Sequence, residues 1–319
     1  MSSPVAAACP RRYERALENA RRWFDVSEGA HARARQGHLV ASGAERAGDL
    51  IDAWFDDSVD AVISVIGGMT TAQMLEHLPF DDMARRPKLV IGYSDTTTLL
   101  TALACHGIPS LYGPALMPQF GESGGPHAYT LDALLGLLKP QPFGIVPEAQ
   151  ELIVERLQWD QEDDRPRLCE PARTRRAIRA GAADGWLFVA NLGSLLSLAG
   201  TRWFPDLSGA LLVLEDDDEE SPDTIERMLT QLRMLGAFGR INGLVFGRLP
   251  ASIGVHDDLL TDALLRATSG SSFPIAIGFE IGHVDPFHAL PIGPNATLMI
   301  HEGKVSLTIH EALVASTRR

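Results

Sequence analysis

The chain has 319 residues, 45% hydrophobic and 22% charged, ordinary for a globular protein and enough for two domains or one large α/β domain. Its formal net charge of −13 excludes nucleic acid and anionic membrane surfaces as main partners, since phosphate neutralisation needs clustered Lys and Arg. Cys9, Cys105 and Cys169 lie far apart with no C-x-x-C pair, which argues against a disulfide framework or zinc knuckle and fits reduced thiols in a cytoplasm. No uninterrupted apolar stretch is long enough to span a bilayer and no export signal is read before Arg11, so a cytoplasmic location without membrane partner is expected.

From Arg11 to about Gly124, helix and strand signals alternate. A charged helix is predicted from Arg12 to Trp23 and a second from Ala44 to Asp56. A strand from Ala61 to Ile66 breaks at Gly67-Gly68, a helix resumes near Thr71 to Leu78, and Lys88 to Ile91 forms the next strand. Alternation of this kind implies parallel pairing and an open α/β sheet, with ligands at the carboxyl ends of the strands. The second strand turns sharply through Gly92-Tyr93-Ser94-Asp95 into an apolar-periodic helix. A serine at such a turn projects its hydroxyl beside the backbone N–H groups of a helix N-terminus, which can stabilise an oxyanion. Ser and Asp are equally the preferred N-cap residues, and Thr96 stands where the G-x-S-x-G pattern has its last glycine, so capping is a competing role for Ser94.

Between Leu138 and Arg179 the composition shifts to Pro, Gln, Glu, Asp and Arg, which reads as an interdomain connection. Its basic cluster, Arg173, Arg175, Arg176 and Arg179, has no interleaved aromatics and is read as solvated. Trp159 is either a ligand-stacking residue or a partly buried anchor. Beyond it, strands are predicted at Gly185 to Ala190, Gly209 to Leu214, Ile241 to Leu249 and Phe273 to Gly278. A terminal hairpin pairs Ala296 to Ile300 with Val305 to Ile309. Ser221-Pro222 opens a helix whose apolar stripe is Ile225, Met228, Leu229, Leu232 and Leu235, and Gly236 closes it. The division is therefore an α/β domain over 1–137 with an open parallel sheet, a connection over 138–179, and a smaller β-rich α+β domain over 180–319.

Serine is a weak nucleophile until a base, commonly a carboxylate-oriented histidine, takes its proton. The second half offers Glu215, directly after an apolar strand, and His283, flanked by Gly282 at the end of another. Glu215 also begins an acidic run that would alone be a solvated loop, and His283 alone could be a structural histidine. His283, Asp285 and His288, with His256-Asp257-Asp258 upstream, hold metal-ligand residue types, but the spacing fits no known pattern and Pro286 breaks a regular ligand face. No metal and no cofactor is expected.

Ile66-Gly-Gly-Met-Thr-Thr, Pro87-Lys-Leu-Val-Ile-Gly-Tyr-Ser-Asp, Leu111-Tyr-Gly-Pro-Ala-Leu, Leu212-Val-Leu-Glu-Asp and Gly282-His-Val-Asp-Pro-Phe-His-Ala-Leu-Pro-Ile-Gly follow one another along nearly the whole chain. In that order they resemble the LD-carboxypeptidase family of serine peptidases, which includes the microcin C immunity peptidases. The resemblance implies a triad split between domains, with Ser94 as nucleophile, His283 as general base and then acid, and Glu215 fixing the imidazole tautomer. It implies an oxyanion hole from backbone N–H groups of Asp95 and the Gly67-Gly68 turn, and a homodimer.

Three positions are tentative substrate contacts: Ile66, Trp159 and Asn191. Murein-type members often carry Arg where this chain has Ile66, and Ile66 cannot hold a peptide carboxylate. Members usually begin with a longer first strand, whereas Val5-Ala-Ala-Ala comes almost at once, so a truncated first strand is expected. The leading expectation is hydrolysis of the L,D amide to terminal D-alanine in peptidoglycan-derived tetrapeptides, through an acyl-enzyme. A second is cleavage of peptidyl- or aminoacyl-nucleotide conjugates. A third is a non-catalytic binding protein on the same fold, with Ser94 merely capping a helix.

Overall fold

The computed structural model describes residues 2–217, 220–250 and 257–314. The first sheet has the order β1 (Ala61–Ile63), β2 (Leu89–Gly92), β3 (Ser110–Tyr112) and β12 (Leu290–Ile292). Its first three strands are parallel, with Val62 opposite Val90 and Ile91 opposite Leu111. β12 runs antiparallel to β3, Leu290 facing Tyr112. A strand from late in the chain thus completes the early sheet.

The second sheet has eight strands, in the order β4 (Gly144–Ile145), β14 (Lys304–Ile309), β13 (Asn295–His301), β8 (Gly181–Asn191), β9 (Ala210–Glu215), β10 (Gly243–Gly247), β11 (Ile275–Phe279) and β7 (Arg176–Arg179). β8 to β11 are mutually parallel and the flanking strands antiparallel. β9 is buried along its whole length, which is why it reads as an unbroken Ala-Leu-Leu-Val-Leu run rather than an alternating one. After β11 the chain leaves this sheet and, eleven residues on, enters the other as β12. The intervening loop, which carries His283, is stretched between the two sheets.

Several boundaries move. β1 is shorter than the apolar run to Ile66, because Ser64 and Val65 instead receive the N–H groups of Leu116 and Met117 through their carbonyls. The segment after the glycine pair is a 3-10 helix, Thr71–His77. Val5–Ala8 is a single helical turn, and no first strand forms there. The helix Pro222–Met234 has Ser221 as N-cap, accepting from Thr224 N–H, and ends at Gly236 with φ 76°. The terminal hairpin has the expected register, Ala296 opposite Ile309 and Ile300 opposite Val305.

The polar 138–179 stretch contributes β4 and β7 to the large sheet and makes its own ladder, β5 (Glu151–Ile153) with β6 (Cys169–Pro171). Ile153 N–H donates to the Asp285 carbonyl at 2.7 Å, tying that ladder to the His283 loop. Arg175 corrects the reading of its cluster as solvated: its side chain is buried because Glu280, just past β11, supplies a buried carboxylate at 2.9 Å. Arg248 meets the other oxygen of Glu280 at 3.3 Å, and the Val146 carbonyl accepts from Arg175 at 2.9 Å. Removing the one carboxylate would strand two buried guanidinium groups. Glu280→Ala is expected to lower unfolding stability by about 3 to 5 kcal/mol, measured by urea denaturation, and a loss under about 1 kcal/mol would contradict the pairing.

Candidate active site

Ser94 follows β2 at the first residue of a 3-10 turn, Ser94–Thr96, that leads into the helix Thr97–Cys105. Its φ is 60°, a left-handed conformation that costs a non-glycine residue on the order of 1 kcal/mol or more. The turn is held by Thr96 N–H to the Tyr93 carbonyl at 3.2 Å and by Ser94 N–H to Tyr112 Oη at 3.3 Å. No side-chain cap hydrogen bond forms at either helix start. The N-cap positions there are Tyr93 and Thr96, so Ser94 stands at neither cap.

Gly67 lies directly against the serine. A Cβ there would stand 2.9 Å from Ser94 Cβ, 3.0 Å from Ser94 Oγ and 3.3 Å from Asp95 N. The space between the hydroxyl and the Asp95 N–H exists because Gly67 has no side chain. That N–H belongs to the first helical turn, where backbone donors have no intrahelical acceptor. Gly68, with φ 136°, completes the turn from the side facing Ser2.

Glu215 ends β9 and is buried, and three donors converge on its carboxylate. His283 Nδ1 lies 2.8 Å and His283 N 3.2 Å from Oε2, and the Tyr112 hydroxyl donates to Oε1. Gly282, at φ 88°, lets the His283 loop pass over the carboxylate, since any Cβ there would overlap it. Tyr112 in turn accepts from Ser94 N–H, so one tyrosine joins the Ser94 turn to the acid. The His283 ring packs against Tyr93, with ring centroids 5.1 Å apart, and so adjoins the residue before Ser94. Among the described residues no hydrogen bond joins Ser94 Oγ to the imidazole.

Burial alone would lower the His283 pKa, but the charge of Glu215 and its hydrogen bond, with Asp217 and Asp216 behind, raise it to about 9. Burial, then the Glu215 charge and the hydrogen bond to it, push Tyr112 well above its ordinary value, so it remains a donor. Asp216 is lifted to about 8, chiefly by burial and then by Glu215. Its Oδ1 accepts from Asn191 Nδ2 at 3.2 Å.

Of the residues the sequence singled out, Gly67 adjoins Ser94 and Asp95, His283 lies on Glu215, and Tyr112 links the Ser94 turn to that carboxylate. Asn191 sits opposite Glu215 in the β8–β9 register, buried, capping the helix Leu192–Leu196 through Ser194 N–H. Ile66 is half-buried one residue before the glycine turn. Trp159 has one face covered by the Arg12 guanidinium, 4.2 Å from the ring centroid, in the manner of the anchor rather than the free stacking surface.

The three residues weighed as metal ligands have separate partners: His283 faces Glu215, Asp285 pairs with Arg167 at 2.6 Å, and His288 is buried with Nδ1 2.6 Å from the Ala289 carbonyl oxygen. Among the described residues no group of His, Cys, Asp or Glu is placed to hold a metal ion, and His256 lies outside them. Sequence reasoning missed Tyr93 and Tyr112. Both lie inside the recognised segments, and a tyrosine in an otherwise apolar strand end, as at Leu111-Tyr112-Gly113, is the signal that could have found them.

An open α/β sheet with a strained serine elbow, beside a carboxylate-held histidine, is the arrangement of a hydrolase. Residues 1–113 match the LD-carboxypeptidase N-terminal domain and residues 184–298 the LD-carboxypeptidase C-terminal domain. The chain is 30% identical over 283 residues to the "Probable murein peptide carboxypeptidase" of Bacillus subtilis, covering 86% of this chain and 80% of that protein. It is 26% identical over 322 residues to the microcin C7 self-immunity protein MccF of Escherichia coli, covering 96% and 91%. Among solved structures, MccF in complex with glutamyl sulfamoyl guanosine superposes with TM-score 0.88 at 23% identity, covering 98% of this chain and 95% of that one. An MccF-like protein from Bacillus anthracis superposes at 0.89 with 25% identity, covering 97% and 95%. This chain belongs to the LD-carboxypeptidase family.

The geometry around His283 predicts its titration. An NMR titration of the ring is expected to show a midpoint near 9. In Glu215→Gln the midpoint is expected at or below the ordinary value of about 6.5, because burial then dominates. A wild-type midpoint at or below that value would contradict the assigned contact.

Proposed function

We propose that this chain is a serine carboxypeptidase that hydrolyses the L,D amide to terminal D-alanine in peptidoglycan-derived tetrapeptides. The observation that carries the reading is the convergence of His283 and, through Tyr112, the Ser94 turn on the single buried carboxylate of Glu215. Ser94 Oγ attacks the amide carbonyl carbon while His283 Nε2 takes its proton. The carbonyl oxygen becomes an oxyanion in the space that Gly67 leaves open, stabilised by the Asp95 and glycine-turn N–H groups. His283 returns the proton to the D-alanine nitrogen as the C–N bond breaks, leaving an acyl-Ser94 ester. Water, deprotonated by His283, then attacks that ester; the acyl C–Oγ bond breaks, His283 gives the proton to Ser94 Oγ, and the shortened peptide leaves with its new carboxylate. Glu215 keeps its charge throughout, holding Nδ1–H and stabilising the imidazolium.

A second reading keeps these steps and changes the substrate to a peptidyl- or aminoacyl-nucleotide conjugate. The MccF relative, matched over almost the whole chain, and the apolar Ile66 beside the glycine turn favour it. Incubation with a murein tetrapeptide and, separately, with an aminoacyl-sulfamoyl adenosine, followed by mass spectrometry, decides between them. Release of D-alanine with the nucleotide conjugate intact is the result expected here. Cleavage of the conjugate alone would transfer the reading to the second substrate, and turnover of neither would favour a binding protein.

Ser94→Ala, His283→Ala and Glu215→Ala are each expected to lower kcat roughly 1,000-fold or more with the fold intact by circular dichroism, as members of a cooperating unit do. Only neutral imidazole can accept the serine proton, so kcat/KM is expected to rise with pH up to about 9. Near-normal turnover by Ser94→Ala would end the serine mechanism, and a rate already flat by pH 7 would contradict the raised histidine.

A further inference from the structure

We propose that Ser2 is a positioning residue that sets the oxyanion site, by fastening the Gly67–Gly68 turn to the residue after Ser94. The proposal rests on the reading of Ser94 as nucleophile. Ser2 is 2% exposed, although nothing in the local sequence asks for a buried serine there. Its hydroxyl accepts from Met69 N–H at 3.0 Å and Thr70 N–H at 3.1 Å, and donates to Asp95 Oδ2 at 2.7 Å. A serine hydroxyl has one donor and two acceptor sites, so its capacity is fully used in joining these two segments. Asp95 Oδ2 also accepts from Thr71 N–H at 2.9 Å and Thr71 Oγ1 at 2.7 Å, which closes the connection from the other side.

The backbone does the complementary work. Ser2 N–H and Ser3 N–H both donate to the Gly67 carbonyl, at 3.1 and 3.2 Å. In a trans peptide the C=O and the following N–H point in opposite directions. Holding the Gly67 oxygen on the Ser2 side therefore turns the Gly68 N–H to the other face of the turn. The two glycines answer to two serines: a Cβ on Gly67 would press on Ser94, and a Cβ on Gly68 would collide with Ser2 Oγ. The Ser2 carbonyl accepts from Val40 N–H at 3.1 Å, which anchors the serine itself.

A group that orients oxyanion donors without touching substrate acts on kcat and on transition-state capture, with KM little changed. Ser2→Ala is expected to lower kcat for the murein tetrapeptide roughly 10- to 100-fold with KM within about threefold. It is also expected to slow phosphonylation of Ser94 by a fluorophosphonate by a similar factor, a readout independent of substrate identity. Ser2→Thr, which keeps the hydroxyl, is expected to restore at least half of both. All are measured at a temperature where each variant is folded by its thermal melt. Unchanged phosphonylation in folded Ser2→Ala, or a rise in KM alone, would overturn the proposal, as would failure of Ser2→Thr to recover when equally folded. Ser94→Ala in parallel separates the two ideas: if it too turns over substrate, the nucleophile assignment has failed, whereas an inert Ser94→Ala beside a normal Ser2→Ala refutes the positioning role alone.

Discussion

The Glu215 carboxylate is the constraint on which the site depends. It is buried at the carboxyl end of a strand covered on both faces, where a lone charge would be costly. It is tolerated because three donors, two from His283 and one from Tyr112, converge on its two oxygens. Those donors come from the loop between the sheets and from β3 of the first sheet, so satisfying one carboxylate draws both halves of the chain together. Gly282 and Gly247 supply the room: a Cβ on the first would overlap the carboxylate, and one on the second would lie 3.0 Å from Glu215 Cβ.

The same exchange explains why the site lies where it does. β12 crosses from the C-terminal stretch into the sheet of the Ser94 elbow, so the His283 loop cannot drift from that elbow without breaking the β3–β12 ladder. The loop is further pinned by Ile153 N–H and by Arg167 on Asp285, and Gln119 bridges Asp285 at 3.3 Å and Tyr93 at 3.4 Å. Arg167 also pairs with Glu122 at 2.9 Å, which links the polar stretch to the segment beneath helix Pro10–Ala20. Within that largely exposed stretch, Asp163, Arg167 and Arg175 turn inward onto specific partners.

What could be read from sequence was whatever local chemistry enforces. The Ser221-Pro222 start, the Gly236 stop and the terminal hairpin register follow from capping, proline and alternation, and each took its expected form. Ser94, Glu215 and His283 could be named as candidates because all three follow apolar strands and stand where such sheets place ligands. The burial of Arg175 was not legible, since its partner Glu280 lies more than a hundred residues away and no periodicity announces a buried ion pair; for Trp159 the anchor was one of two readings, and only its partner, the distant Arg12, was hidden. The extent of β1 was hidden for a similar reason: the carbonyls of Ser64 and Val65 are taken by Leu116 and Met117, and an apolar run does not say which neighbour claims its backbone.

A double-mutant cycle between Glu215 and His283 tests the central claim most directly, because the proposed catalytic role of the carboxylate, holding Nδ1–H and stabilising the imidazolium, runs through His283. With kcat/KM measured for Glu215→Gln, His283→Ala and the double variant, the account predicts strong non-additivity, the double variant being little slower than His283→Ala alone. Fully additive losses would mean that Glu215 acts independently of His283, and would contradict the account.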